Sequence, residues 1–187
     1  MKIEIISGSA RKQSTSVRVA YALQKWLSES TNHTIGVIDC RDFVLPPLQT
    51  VFKSVDTTPE AFRPLTKKFF EADAFIWVSP EYNGSYVAAF KNLIDHFPKQ
   101  LHKPVGIVSV TNGALGGMRA AQQMILLAAA VFAIPSPQLL LVPQVEKRFD
   151  AEGNLIDDSF YNPVHNFISE FLWLGSRLAK HPAAATP

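Results

Sequence analysis

The chain has 187 residues, 47% hydrophobic and 18% charged, which suits one globular domain with a full core. A net charge of +2 without a basic block leaves no nucleic-acid partner, and a single cysteine, Cys40, excludes an intrachain disulfide and points to a reducing compartment. The longest apolar run, residues 124–134, is too short to cross a bilayer; the opening Met1-Lys2-Ile3-Glu4-Ile5-Ile6 has charges inside its apolar stretch and no h-region after it, so a soluble cytoplasmic protein is expected.

Residues 2–7 read as a first strand, broken by Gly8, and a loop rich in hydroxyls runs to Ser16. A helix follows to about Ser30, with Ala20, Leu23 and Leu27 on one face at helical spacing. His33 to Asp39, β-branched at Ile35, Val37 and Ile38, reads as a second strand. Residues 40–57, with Pro46 and Pro47, form a long connection expected to pack beside a ligand edge or a partner subunit. Thr58-Pro59-Glu60 reads as a helix start, with Thr58 as the capping hydroxyl, and that helix ends near Ala72.

Strand three is expected over residues 74–79, helix three over about 87–100, strand four over 104–110 and helix four over about 118–133. Strand four is apolar throughout, as in a parallel strand buried on both faces. Strand five is expected over 138–142 and a last helix over about 158–178, with Phe160, Phe167, Phe171 and Leu174 as its core stripe. The tail, residues 181–187, is Ala/Pro-rich and expected to be disordered. Five alternations of strand and helix imply a parallel sheet covered on both faces. The reading is one α/β domain over residues 1–180, a flavodoxin-like three-layer sandwich with a five-stranded sheet in the order 2-1-3-4-5.

In that topology the loops after strands one, three and four meet at the switch point, where open α/β sheets bind ligands. The first supplies Ser9, Ser14, Thr15, Ser16 and Arg11 at a helix N-terminus. That set suits a terminal monophosphate, with an Arg–phosphate hydrogen bond worth about 1.5–3 kcal/mol. It is neither a P-loop nor Gly-x-Gly-x-x-Gly, and a plain Ser-capped helix start is the alternative. The second loop offers Pro80, Glu81, Tyr82, Asn83 and Gly84: a ring to lay against a planar ligand, polar edges and a flexible backbone. The alternative is a turn whose tyrosine covers the sheet edge. The third contributes Ser109, Thr111, Asn112 and Gly113, with Gly116 and Gly117 behind them, as polar groups for a pyrimidine-like edge, or else a glycine-rich turn without a guest. Phosphate, ring and polar edge around one rim describe flavin mononucleotide, FMN.

Three motifs carry a resemblance: residues 8–14 (Gly-Ser-Ala-Arg-Lys-Gln-Ser), residues 80–85 (Pro-Glu-Tyr-Asn-Gly-Ser) running on to Lys91-Asn92-Leu93-Ile94-Asp95, and residues 113–120 (Gly-Ala-Leu-Gly-Gly-Met-Arg-Ala). With them the chain resembles the NADPH-dependent FMN reductase family, which includes quinone, azo-dye and chromate reductases, over about residues 2–178. The resemblance implies that Ser9, Arg11, Ser14 and Ser16 hold the FMN phosphate. It implies that residues 80–84 line the isoalloxazine and residues 109–113 meet its edge. Ser16 stands where relatives often carry Asn. The resemblance further implies a homodimer or homotetramer, with the helix after the second loop near the interface. A ping-pong cycle would take hydride from NADPH or NADH through FMN to a quinone, free flavin, azo compound or metal oxyanion. Tyr82 would shape the slot, and Asn83 would orient its guests.

No catalytic side chain is expected, because the cofactor carries the chemistry. No metal site is expected either, since the five histidines lack ligand spacing. His96 and Cys40 read as structural, and Arg119 as a salt-bridged surface residue that could instead reach a pyridine-nucleotide phosphate. Two other classes fit the fold: an electron-transfer flavoprotein, against which the slightly basic charge counts, and a flavin-free sensor, against which the hydroxyl-and-Arg loop counts.

Overall fold

Three apolar strands form the middle of the sheet: β1 (Lys2–Ser7), β3 (Ala74–Pro80) and β4 (Pro104–Val110), the last buried at every residue. The computed structural model describes residues 1–178, so the expected tail lies outside the described residues. With β2 (Thr34–Asp39), β5 (Ile134–Pro135) and β6 (Leu140–Val142), the strands lie in the order β2-β1-β3-β4-β5, β6 also pairing with β4. Every pairing is parallel, and this is the flavodoxin-like order.

The period of two sorts the strand side chains between two helical layers. Ile3, Ile5, Ile76, Val78 and Val108 pack with α1 (Ser16–Ser30) and α5 (Tyr161–Leu178). Ile6, Phe75, Trp77, Val105 and Ile107 pack with α2 (Arg63–Glu71), α3 (Ala88–Asp95) and α4 (Met118–Ala130). Trp77 meets Phe90 edge-on at 5.4 Å, and truncating such a buried ring costs about 3–5 kcal/mol. α3 carries the second loop, so this contact fixes one wall of the rim to the sheet.

Several boundaries differ from expectation, each for a local reason. The fifth strand is two short pieces rather than one over 138–142. Ser136 still donates to Val105 O at 2.8 Å, but Pro135 and Pro137 have no N–H to continue the ladder. α3 ends at Asp95, not near 100, because Phe97 precedes Pro98 and is pushed away from helical torsions. α4 ends at Ala130 rather than 133, with Phe132 at φ 60°. Thr58 caps no helix: its hydroxyl donates back to Ser54 O at 2.7 Å, and a 3-10 turn, Glu60–Phe62, precedes α2. A second such turn, Asp158–Phe160, precedes α5.

The 40–57 connection lies over α3 and not at the ligand edge. Phe52 is buried and its N–H donates to His96 O at 2.7 Å, while the Asn92 amide donates to Leu45 O and Pro46 O. His96 is buried with Nδ1 2.7 Å from Asn92 O, a structural role as expected. Burial, with Asp39 beside it, pushes the Cys40 thiol up to about 12, so it stays an unreactive core group. Among the described residues, no helix is long and apolar enough to cross a membrane, and no three His, Cys, Asp or Glu side chains gather as metal ligands.

Candidate functional site

A cavity of about 180 Å³ opens where β1, β3 and β4 end. Nine of the predicted residues line it: Ser9, Arg11, Ser14, Thr15, Ser16, Pro80, Glu81, Tyr82 and Asn112, and Thr111 makes a tenth. Gln13 and Val110 also line it and were not predicted. Asn83, Gly84, Ser109 and Gly113 are not on its wall. The three loops do converge, and the site is a polar pocket over an apolar floor.

The hydroxyl side is built by the turn into α1. Ser9 is 3% exposed, and its Oγ accepts from the Arg11 amide at 3.4 Å. Ser14 Oγ and Ser16 Oγ lie 3.0 Å apart. Thr15 stands at the helix N-cap without a side-chain capping bond, so the first amides of α1 face the cavity end uncapped by any hydroxyl. The Ser-capped alternative is therefore not what this loop forms. Gly8 is required by packing: a Cβ there would come 2.9 Å from Phe90 Cβ.

The ring side is built by a tight hairpin. Tyr82 N donates to Ser85 O at 2.9 Å and Ser85 N to Tyr82 O at 3.1 Å. Between them Asn83 has φ 51° and Gly84 φ 82°, the torsions of a type I′ turn, for which Asn-Gly is the favoured pair. The turn sets Asn83 and Gly84 at the tip, and Tyr82, 42% exposed, at the cavity mouth. Across that mouth Arg11 Nη1 donates to Tyr82 OH at 3.3 Å.

Glu81 lines the cavity with one carboxylate oxygen engaged. Its Oε2 accepts from the Ala120 amide at 3.2 Å, capping α4 from outside the helix. The third loop is pinned by backbone bonds: Thr111 N donates to Val142 O at 3.0 Å and Val145 N to Thr111 O at 3.2 Å. Ser109 is fully buried and turned under this loop, its Oγ without a partner and only 2.1 Å from where a Cβ on Gly117 would be. Gly117, at φ 77°, is held glycine by both its torsion and this contact. Arg119 differs from expectation: it is exposed and forms no salt bridge among the described residues.

As a donor set the pocket suits a phosphate-bearing planar ligand. It offers the hydroxyls of Ser9, Ser14, Thr15, Ser16, Thr111 and Tyr82, one guanidinium and uncapped helix amides, with one oxygen of its single acid turned onto a helix end. Ligand sites usually measure roughly 300–1,000 Å³, so a whole mononucleotide would extend from this cavity of about 180 Å³ onto the open rim.

Comparison with known proteins agrees with this. The family whose model matches residues 1–147 is described as NADPH-dependent FMN reductase. The chain is 33% identical over 168 residues to an NADPH:quinone oxidoreductase of Arabidopsis thaliana, covering 84% of this chain and 83% of that one. It is 34% identical over 134 residues to an NAD(P)H-dependent FMN reductase of Schizosaccharomyces pombe, covering 66% and 63%. Among solved structures, the flavoenzyme NAD(P)H:(acceptor) oxidoreductase of Paracoccus denitrificans superposes with a TM-score of 0.78 at 21% identity, over 94% of this chain and 97% of that one.

Proposed function

The chain belongs to the NADPH-dependent FMN reductase family, and on that premise we propose that the pocket between its three loops holds FMN and that the protein reduces quinones with NAD(P)H. The observation that carries this reading is the cluster of Ser9, Ser14, Thr15, Ser16 and Arg11 around one cavity at the start of α1. Bound FMN supplies the chemistry, taking two electrons as hydride from a reduced pyridine nucleotide and passing them to an acceptor.

The chain's own residues position and enclose. The hydroxyls and Arg11 bind the phosphate dianion, and the α1 N-terminus favours it by about 0.3–1 kcal/mol. To reach the phosphate, Arg11 gives up its bond to the Tyr82 hydroxyl. Tyr82 and Pro80 wall the ring, and Val110 floors the pocket and keeps water from beneath it. Asn112 and the Thr111 backbone meet the ring's polar edge. The pocket's one carboxylate, Glu81, has Oε2 engaged by Ala120 N and in this reading positions the third loop rather than moving a proton.

Quinone is the acceptor class favoured by the plant relative's name; free flavin, azo compounds and metal oxyanions fit the same open rim. The reading includes a homodimer or homotetramer in the cytoplasm, supported by the exposed Leu115, Met118 and Leu126 on and beside α4. Adding FMN to the purified protein should give visible flavin absorbance that NADPH bleaches under nitrogen and a quinone restores. A protein that takes up no flavin under these conditions overturns the proposal.

A further inference from the structure

Arg119 is set apart from the other arginines of the chain. Of seven, five are engaged by a carboxylate, a backbone carbonyl or an aromatic ring, and Arg11 by the Tyr82 hydroxyl. Arg119 alone has no polar or aromatic partner among the described residues, and it is exposed. Its position opposes its own charge. It is the second residue of α4, next to the N-cap Gly117, where the helix dipole is positive and a cation is disfavoured. Glu81, whose Oε2 accepts from the Ala120 amide, brings a negative charge to this helix end but forms no ion pair with Arg119.

The location gives this unpaired cation a use. The Arg119 stem lies against the hairpin tip: a Cβ on Gly84 would sit 3.5 Å from Arg119 Cδ. One four-residue turn thus has Arg11 at its Tyr82 end and Arg119 at its Gly84 end. Arg11 belongs to the hydroxyl cluster inside the cavity, whereas Arg119 lies outside the cavity wall. A dinucleotide whose nicotinamide reaches a ring at this open rim leaves its phosphates outside the cavity, and this turn borders the cavity mouth.

We propose that Arg119 anchors a phosphate of the reduced pyridine nucleotide at the rim of the cavity. The inference rests on the function proposed above. The phosphate is either the 2′-phosphate, present only in NADPH, or the pyrophosphate, shared with NADH.

The test uses the FMN-loaded protein with Arg119→Gln, which keeps much of the stem and removes the charge, and Arg119→Lys, which restores a charge. Steady-state kinetics with NADPH and with NADH are combined with calorimetric binding of adenosine 2′,5′-bisphosphate and of 5′-AMP. Arg119→Gln should raise KM for NADPH roughly tenfold or more, the size of one charge-assisted hydrogen bond, with kcat and FMN affinity retained, and Arg119→Lys should recover most of the loss. A loss confined to NADPH, with weakened bisphosphate binding and unchanged 5′-AMP binding, identifies the 2′-phosphate. An equal loss with NADH identifies the pyrophosphate. Unchanged KM for both nucleotides, or a fall in kcat alone, overturns the proposal. A flavin-loaded wild-type protein that oxidises neither nucleotide removes the function itself, whereas an active enzyme indifferent to Arg119 removes only this inference.

Discussion

The two ends of the sheet use their polar groups oppositely. At the foot, the chain satisfies itself: Lys2 N donates to Asp73 Oδ2 at 2.7 Å, Asp73 N to Lys2 O at 2.8 Å, and Lys103 Nζ to Phe69 O at 3.3 Å while lying 5.2 Å over the Phe75 ring. At the rim, among the described residues, the Ser14 and Ser16 hydroxyls bond only each other, and two arginines have a weak partner or none. The lesson is that a polar group closed on its own backbone stabilises, while one left with open capacity marks where a guest is received.

The largest expected effect tests whether the rim is nonetheless rigidly built. Gly117→Ala adds a Cβ onto Ser109 Oγ and keeps a left-handed torsion, costing about 3 kcal/mol in urea unfolding. A loss below 1 kcal/mol would mean the third loop simply yields. Next, Arg11→Ala should weaken FMN binding by about 1.5–3 kcal/mol, roughly 10- to 150-fold in a fluorescence titration, with apoprotein stability unchanged. Equal affinity would place the phosphate elsewhere.

At the foot the sign reverses. Burial lowers Lys103 to about 8 from an ordinary value of 10.5, so folding favours its neutral form. Its contribution is present above pH 10.5 and lost as pH falls through 8. Lys103→Met should therefore be more stable than wild type at pH 7, by about 1–3 kcal/mol, with the gap closing toward pH 10. Urea midpoints at both pH values check this, and a less stable variant at pH 7 would show that the bond to Phe69 O outweighs burial. The smallest effect is at the mouth of the cavity. Tyr82→Phe removes the hydroxyl that Arg11 must leave, so FMN should bind up to about twofold more tightly by the same titration, in keeping with an exposed bond worth a few tenths of a kcal/mol. A looser complex would mean that the hydroxyl also touches the cofactor.

Much of this arrangement is legible in the chain because its signals are local. Apolar runs ending in Ser-rich or Gly-rich loops mark β1, β3 and β4, and alternation with helices fixes the sheet order. The hydroxyl cluster follows from sequence because a turn into a helix keeps near neighbours together. What escapes depends on contacts distant in sequence. Ser109 reads as a loop donor, yet it is buried beneath Gly117, eight residues on, where the third loop turns back over the end of β4. Glu81 lines the cavity as read, but its bond to the Ala120 amide, thirty-nine residues on, is not legible in the sequence. Asn-Gly at 83–84 is a hairpin signal available in the sequence, and it would have placed both residues at a tip rather than on a wall. Phe97-Pro98 likewise announces the end of α3.

The divided fifth strand bears on how this protein stays apart from its neighbours. An open sheet presents a ladder of free amides and carbonyls along each border, a template that another chain can extend. Here one border is interrupted by Pro135 and Pro137, and at the other the Lys68 ammonium donates to Val37 O at 2.7 Å. Prolines break one margin and a lysine occupies a carbonyl of the other, so crowding in solution meets blunted flanks instead of an open seed for aggregation.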